Sequence, residues 1–192
     1  KSQEIPHEFY TFQLHKLRID TGADWSRNTT FGPIRFNHDE RPNYDSLKVQ
    51  TMVPGIASGK LVGGNLSLIC STMGSVYEAK TMGSILFIED VGEAPYRIDR
   101  YLSELKLAGK LDLVNGIIIG RFSRRETEAP DRSTDFQMHQ VFQQYFSKMK
   151  VPVIFNFPSG HGSKNVSLPL GCIVEINTDY ETFKVLEPPI KN

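Results

Sequence analysis

One stretch, residues 85–123, constrains the fold more than any other, because its pattern predicts a complete β-α-β unit. It opens with ILFI, which has the length and the β-branched and aromatic content of a buried strand. A helix is predicted next, from Pro95 to the glycine stop at Gly109, with apolar residues at three- and four-residue steps. The run GIIIG at 116–120 predicts a second buried strand, parallel to the first.

Two carboxylates, Glu89 and Asp90, directly follow the first of these strands. In open α/β sheets, ligands bind in the crevice at the carboxyl ends of the strands. The position of Glu89 at such an end therefore makes it the first candidate for a functional residue.

The remaining pattern adds strands and helices around this unit. A strand is predicted over 59–62 and a short apolar helix over 65–73, with Gly63 and Gly64 at the turn between them. This GGN turn lacks the spacing and the lysine of a nucleotide loop, so a structural turn is favoured over a ligand loop. The other predicted elements are a charged surface loop over 121–133, an amphipathic helix over 134–149, and strands over 152–157, 171–177 and 182–186.

The first 50 residues show weak periodicity and are interpreted as an N-terminal arm and a long loop. The loop spans 21–44 and is rich in Gly, Pro and Asn; loops of this length tend to be functional lids or disordered. It contains the single tryptophan, Trp25. Two interpretations stay open: the indole stacks on a ligand or partner surface, or it anchors the loop to the body of the domain.

Composition excludes several classes of partner. The chain has 22 basic and 22 acidic residues, so no global field favours nucleic acid or an anionic membrane. No apolar run approaches the roughly 20 residues of a membrane span, and the N-terminus lacks signal-peptide features. A soluble, cytoplasmic protein is expected. Cys70 and Cys172 lie in apolar surroundings without metal-type spacing, which predicts buried free thiols.

A second candidate residue, His161, lies in the glycine-framed loop PSGHGSKN after the strand over 152–157. If this strand and the ILFI strand are parallel neighbours, His161 and Glu89 meet at the same edge of the sheet. A carboxylate that accepts the Nδ1 proton fixes the imidazole tautomer and supports general-base catalysis. A lone histidine in a Gly-rich loop is usually a surface group, so the residues alone leave catalysis open.

Three separate motifs resemble, in order and spacing, the C-terminal half of the LD-carboxypeptidase and microcin-immunity family of serine peptidases. They are GKLVGGNLSLICSTMGS, SILFIEDVGEAPYRIDRYLSELKLAGKLDLVNGIIIGRFS and VPVIFNFPSGHGSKNVSLPLG. The resemblance covers about residues 57–177 and is weak over residues 1–53.

This resemblance implies a Ser-Glu-His triad with Glu89 as its acid and His161 as its base. It also implies a substrate contact by Asn65 in GGNL, and Trp25 is expected in a loop of the substrate pocket. The implied fold is an α/β, swivelling β/β/α-type C-terminal domain, a mixed sheet with flanking helices. In the family this domain follows a Rossmann-like domain that carries the nucleophile.

The implied reactions are hydrolysis of the amide between an L-centre and a D-amino acid in murein peptides, or of a peptidyl-nucleotide bond in the immunity branch. Which of the two applies cannot be read from these residues, and no cofactor or metal is implied. The expected partners are therefore a peptide or peptidyl-nucleotide substrate and, as is common in the family, a second copy of the chain.

The chain departs from the family at the nucleophile, since it contains no Gly-x-Ser-Asp elbow. Ser2 and Ser26 lack the flanking glycine, and Ser159 and Ser163 beside His161 lie in the wrong domain for the family pattern. We therefore expect residues 1–192 to form a single C-terminal domain, with 1–50 as arm and loop and the nucleophile-bearing domain absent. The isolated chain is expected to be inactive.

An apolar surface is expected where such a domain would dock, because contacts of this kind bury on the order of 600 to 1,500 Å². The arm can cover it in cis or exchange between two copies. A two-fold dimer is expected, with contacts from aromatic residues of the arm or of the helix over 136–149. The arm residues concerned are Phe9, Tyr10, Phe12, Leu14 and Leu17.

Two alternatives belong to other functional classes. One is a non-catalytic module that binds a small anionic or peptide ligand through the GGN and SGHGSK loops, or that serves dimerisation. The other is a metal site formed by Glu89, Asp90 and His161, which is disfavoured because catalytic zinc usually takes three protein ligands with better-defined spacing.

Overall fold

The computed structural model describes residues 11–13, 49–123, 132–161, 165–180 and 182–186. For residues 11–13, 123 and 132–136 the description covers the backbone only. The predictions for the loop over 21–44, for Trp25, for most of the N-terminal arm and for segment 124–131 lie outside the described residues.

The described part of the chain contains eight strands and three helices, and the helices lie between strands of its middle part. In chain order the elements are β1 (Thr11–Gln13), β2 (Gln50–Val53), β3 (Ile56–Asn65), α1 (Leu66–Ser71), β4 (Ser84–Val91), α2 (Pro95–Leu107), β5 (Gly116–Ser123), α3 (Arg132–Phe146), β6 (Val153–Phe155), β7 (Ile173–Asn177) and β8 (Thr182–Val185).

These strands form one mixed sheet, in the order β1-β8-β7-β3-β4-β5-β6-β2. The four central strands, β3 to β6, run parallel to one another. The outer strands on both sides are antiparallel to their neighbours. The predicted fold class, an α/β domain with a mixed sheet and flanking helices, is confirmed.

The predicted β-α-β unit is confirmed in its three elements. β4 and β5 are parallel neighbours, with Ile85 opposite Gly116 and Ile88 opposite Ile119. Between them, α2 begins at Pro95 and ends just before Gly109, whose φ of +69° suits the residue that follows a helix. β4 is buried from Ser84 to Asp90, which explains its continuous apolar sequence.

The sheet separates two hydrophobic cores. The helix-side core contains Leu86 and Ile88 of β4 and all the buried apolar side chains of the described helices. The strand-side core contains Ile85 and Phe87 of the same strand, with apolar residues of β7 and β8 and of the connections around them. Alternation along β4 therefore supplies both cores, since successive side chains of a strand point to opposite faces.

The prediction of a turn at Gly63 and Gly64 is wrong, because β3 continues through both glycines to Asn65. Pairing with β4 remains in register there, with Gly63 opposite Phe87 and Asn65 opposite Glu89. Both glycines have positive φ, and a Cβ at Gly63 would clash with the carbonyl oxygen of Phe87. Two glycines indicate a turn locally, but here they allow a close approach between neighbouring strands.

Other element boundaries also differ from the sequence prediction. The predicted loop over 121–133 begins later, because residues 121–123 belong to β5. The strand predicted over 152–157 is limited to β6 (Val153–Phe155), and α3 ends at Phe146. Shifts of this size are expected, since sequence patterns locate element ends less well than element cores.

Both cysteines are buried free thiols, as predicted. Burial raises the pKa of the Cys70 thiol to about 12, with smaller contributions from the nearby carboxylates of Glu104 and Asp90. A thiol with so high a pKa is not an activated nucleophile. Among the described helices, none combines the length and the hydropathy needed to cross a lipid bilayer.

Candidate active site

Glu89 and Asp90 are consecutive residues of β4 whose side chains have different surroundings. Glu89 lies with Phe87 on the wall of a surface cavity, and the residue is 5% exposed. Asp90 accepts a hydrogen bond from the backbone N–H of Ser67, at the start of α1. The Glu89 carboxylate therefore faces the cavity, whereas the Asp90 carboxylate contacts the start of α1. This difference follows from the alternation of side chains along a strand.

His161 reaches Glu89 across the end of an intervening strand. The sequence predicts the proximity of the pair on the condition that β4 and β6 are parallel neighbours. These strands are parallel but not neighbours, because β5 lies between them. The chain after β6 continues along β5: Phe157 N–H donates to the Ile119 carbonyl at 2.9 Å, and Arg121 N–H donates to the Ser159 carbonyl at 2.8 Å. The parallel direction of all three strands still brings both side chains to one edge of the sheet.

Gly120 of β5 makes this crossing sterically feasible. A Cβ at this position would lie 2.5 Å from the carbonyl oxygen of Ser159 and 2.7 Å from the Phe87 ring. Contacts this short are not tolerated between non-bonded atoms. Any larger residue would therefore push the His161 loop away from β5.

The Glu89 carboxylate and the His161 imidazole are in direct contact. Nδ1 of His161 donates to Oε2 of Glu89 at 2.7 Å, and the backbone N–H of His161 donates to the same oxygen at 3.0 Å. The side chain of Glu89 is 7% exposed, whereas that of His161 is 55% exposed. The predicted proximity is confirmed: a buried carboxylate is hydrogen-bonded to an accessible imidazole.

Gly160 fits this contact because it has no side chain. Its φ is +131°, and an added Cβ would lie 2.9 Å from Oε2 of Glu89. A side chain here would be strained by the backbone and would press on the carboxylate. A glycine directly before His161 is thus a steric requirement of the pair.

A surface cavity of about 470 Å³ opens beside the pair. Both polar and apolar groups line it, and Glu89 and His161 form part of its wall. The other lining residues are Phe87, Ser159, Gly160, Asn165, Val166, Ser167, Leu168 and Leu170. A cavity of this size, with an acid–imidazole pair on its wall, can hold part of a small substrate.

The family model of the LD-carboxypeptidase C-terminal domain matches residues 58–176, which include both members of the pair. This chain belongs to the LD-carboxypeptidase family.

Individual relatives agree with this assignment. The chain is 40% identical to a probable murein peptide carboxypeptidase of Bacillus subtilis, over 90% of this chain and 54% of that protein. It is 27% identical to the microcin C7 self-immunity protein MccF of Escherichia coli, over 93% of this chain and 48% of that protein. The chain spans about half the length of these curated relatives.

A solved structure shows the same fold. The muramoyltetrapeptide carboxypeptidase from Oxalobacter formigenes superposes with a TM-score of 0.59 and 28% identity, covering 71% of this chain and 48% of that one.

The sequence match to the Bacillus subtilis relative leaves out only a tenth of this chain. It therefore extends into the first 50 residues, further than the three sequence motifs suggested.

Asn65 caps a helix in this structure. Its Oδ1 accepts from Leu68 N–H at 3.2 Å and from the Ser67 hydroxyl at 2.6 Å. Its Nδ2 donates to Oδ1 of Asp90 at 3.0 Å. The side chain is thus held at the start of α1 by three contacts, and its role toward a substrate stays a prediction.

A metal site at Glu89, Asp90 and His161 is not supported. Asp90 accepts hydrogen bonds from Asn65 and Ser67, whereas Glu89 accepts both bonds from His161. The described residues contain no group of three or more His, Cys, Asp or Glu side chains able to hold a metal ion. The reason is that adjacent strand residues cannot both turn toward the same side.

Sequence reasoning missed three residues that shape the site, Gly120, Gly160 and Asn165. The glycine that ends GIIIG marks the crossing of β5, and the glycine before His161 marks its close approach to Glu89. A glycine directly beside an apolar run is a detectable signal for close backbone approach. No such sequence signal marks Asn165. Its contact with the N–H of Gly160 exists only when the loop is folded.

Proposed function

We propose that this chain supplies the acid and the base of a Ser-Glu-His triad in a carboxypeptidase. Its substrate is a murein peptide, and the bond cleaved is the amide between an L-centre and a D-amino acid. The observation that carries the proposal is the 2.7 Å contact between the buried Glu89 carboxylate and the half-exposed His161 imidazole. The name and the 40% identity of the Bacillus subtilis relative support the choice of substrate.

In the proposed reaction, the Glu89 carboxylate accepts a hydrogen bond from Nδ1–H of His161, which keeps the proton of the neutral imidazole on Nδ1 and its lone pair on Nε2. Nε2 takes the proton of a serine hydroxyl while that oxygen attacks the carbonyl carbon of the scissile amide. Collapse of the tetrahedral intermediate breaks the C–N bond, and the imidazolium returns the proton to the departing amine of the D-amino acid. Water then hydrolyses the acyl-enzyme with the same base.

We assign the nucleophilic serine to a separate Rossmann-like domain that precedes this one in the functional enzyme. Ser159, the described serine nearest in sequence to His161, is unsuited to the role. The residue is 6% exposed, and its hydroxyl donates to the Val166 carbonyl at 2.9 Å. A general base without a nucleophile retains little catalysis, so the isolated chain is proposed to be inactive.

The proposed enzyme acts on a murein peptide, in the cytoplasm and as a homodimer. The murein peptide is favoured over a peptidyl-nucleotide because identity to the murein peptide carboxypeptidase, 40%, exceeds the 27% to the self-immunity protein. We place the enzyme in the cytoplasm, which agrees with two cysteines left as free thiols. We also propose that it acts as a homodimer, and the mechanism uses no metal or cofactor.

The test compares this chain with the longer protein that carries the serine-bearing domain, on an L,D-tetrapeptide and on an aminoacyl sulfamoyl adenosine. We expect no turnover by the chain alone and release of the D-amino acid by the longer protein. His161→Ala in the longer protein should lower kcat by about 10⁴-fold or more.

Three results would contradict the proposal. Turnover by the isolated chain that disappears in its His161→Ala variant would show that the nucleophile lies within residues 1–192. Cleavage of the nucleotide conjugate in preference to the tetrapeptide would move the enzyme to the immunity branch. Binding of either compound by the longer protein without hydrolysis would instead favour a ligand-binding module.

A further inference from the structure

The loop that carries His161 is fastened on two sides. On one side, backbone hydrogen bonds join Phe157 and Ser159 to β5. On the other side it meets residues 165 and 166: Val166 N–H donates to the Pro158 carbonyl at 2.7 Å, and Gly160 N–H donates to Oδ1 of Asn165 at 3.2 Å. The segment from 158 to 160 is therefore held between a strand and a second, non-sheet segment.

The contact from Asn165 falls on the peptide next to His161. The Ser159–Gly160 peptide is held at both of its polar groups, since its carbonyl accepts from Arg121 N–H of β5 and its N–H donates to Asn165. These bonds matter because Gly160, with a φ of +131°, has little conformational preference of its own. The next backbone N–H, that of His161, and the Nδ1 of its ring both donate to one oxygen of Glu89. Rotation of the Gly160 peptide would disturb both bonds to the carboxylate.

The hydroxyl of Ser159 has two possible acceptors but only one proton to donate. Its hydroxyl lies 2.9 Å from the Val166 carbonyl and 3.2 Å from Oδ1 of Asn165. One hydroxyl donates only one hydrogen bond, and the shorter contact points to Val166. The Asn165 oxygen is thus needed chiefly by Gly160, and residues 159 and 160 each have an acceptor of their own.

We propose that Asn165 is a positioning residue for His161. By accepting from Gly160 N–H, its Oδ1 holds the Gly160 peptide in the orientation that directs the His161 backbone and imidazole onto Glu89. This role rests on the proposed function only for the statement that His161 is the base; the positioning itself is a property of the folded chain. A small displacement of a catalytic group lowers the rate by about 10- to 100-fold.

The experiment uses a matched pair, Asn165→Asp and Asn165→Leu. Aspartate keeps an acceptor oxygen at the same distance from the backbone, whereas leucine keeps the size and removes the acceptor. Asn165 is exposed, so neither change removes a buried side chain. The first readout is proton NMR of this chain, in which the Nδ1–H held by Glu89 gives a protected resonance that is missing from the His161→Ala variant.

We expect Asn165→Asp to keep that resonance and Asn165→Leu to lose it through exchange with water, while both variants keep the unfolding midpoint within a few degrees. In the longer protein, Asn165→Leu should lower kcat by about tenfold with KM unchanged, and Asn165→Asp should restore it. Asn165→Ala, which also lacks the acceptor, serves as the second variant should leucine prevent folding.

Retention of the resonance in Asn165→Leu and Asn165→Ala would overturn the proposal, as would its equal loss in Asn165→Asp. A fall in the unfolding midpoint with the resonance intact would do the same, since it indicates a structural role alone. The NMR result does not depend on turnover, so it can fail while the triad stands. Equally, an active His161→Ala enzyme would refute the triad and leave the positioning result unchanged.

Discussion

Glu89 is a carboxylate almost removed from water, and hydrogen bonds from His161 compensate its burial. Burying an ionised carboxylate is unfavourable unless hydrogen bonds replace its hydration. Two donors of His161 converge on Oε2. The same two hydrogen bonds therefore stabilise the buried carboxylate and fix the orientation of the His161 ring.

Glu89→Gln tests whether the charge of this carboxylate matters. Glutamine keeps the size but removes the charge, so the imidazolium of the proposed reaction would lose its stabilising partner and the tautomer would no longer be fixed. In the longer protein we expect kcat to fall by about 10³-fold or more. Urea unfolding should show a loss of about 1 to 3 kcal/mol, because both hydrogen bonds from His161 lose their charged acceptor. A variant with kcat within about tenfold of the original would exclude an orienting role for Glu89.

Gly160→Ala tests whether the absence of a side chain at this position matters. The added Cβ would lie 2.9 Å from Oε2 of Glu89, on a backbone with φ of +131°. We expect a loss of about 1 to 3 kcal/mol in unfolding free energy, and loss of activity in the longer protein.

Gly109→Ala is the matched control, because Gly109 also has positive φ but an added Cβ would meet no atom within 4 Å. It should lose about 1 kcal/mol and keep kcat. Equal loss of activity in the two variants would mean that strain in general, not pressure on Glu89, is responsible.

The carboxyl end of β4 supports two neighbouring structures at the level of elements. Through Glu89 it holds the loop after β6, and through Asp90 it holds the start of α1. The carboxylate of Asp90 also accepts from Nδ2 of Asn65. Since α1 has six residues, too few for independent stability, these contacts and its packing in the helix-side core maintain it.

Asp90→Ala tests this dependence. It would leave Ser67 N–H and Nδ2 of Asn65 without their acceptor, and each partly buried unsatisfied donor is costly. We expect urea unfolding to show a loss of about 2 to 4 kcal/mol. The control Ser71→Ala removes an exposed side-chain contact of the same helix and should change stability by less than about 0.5 kcal/mol. Similar values for the two variants would show that α1 needs no anchor on β4.

In the molecule as a whole, the structure excludes two aromatic side chains of α3 from the expected dimer contacts. Phe142 and Phe146 of α3 are fully buried in the helix-side core of the same chain, so they cannot be the aromatic contacts expected from this helix. Residues 11–13 of the arm form β1, which pairs with β8 of the same chain. Exposed apolar side chains elsewhere, such as Val76 and Tyr77 at 86% and 82% exposed, remain available to a partner.

Light scattering of the purified chain tests association. We expect twice the monomer mass of 21.7 kDa, because large exposed apolar surfaces are rarely left in contact with water. A variant without residues 1–10 keeps β1, which pairs with β8, but lacks Phe9 and Tyr10; it tests the contribution of these arm residues and should dissociate. A mass of 21.7 kDa at every concentration would refute the dimer, and a dimeric truncated variant would place the contact outside residues 1–10.

Much of this protein follows from its sequence alone. The central β-α-β unit, the amphipathic helix α3 and the two C-terminal strands were predictable, because apolar periodicity reflects which face of an element is buried. The candidate pair was predictable from the same apolar runs. Glu89 and His161 each follow a buried strand, and the carboxyl ends of parallel strands lie at one edge of the sheet. The motifs around them also identified the family correctly.

Tertiary structure alone decided how these elements meet. Strand order depends on contacts between residues distant in the chain, so local patterns did not reveal that β5 separates β4 from β6. They also did not reveal that Gly63 and Gly64 extend a strand, since pairing with β4 satisfies a backbone that would otherwise turn. The amide of Asn65 contacts Asp90 for the same physical reason: the two residues lie on neighbouring strands, and the pairing of those strands, which no local stretch encodes, brings them together.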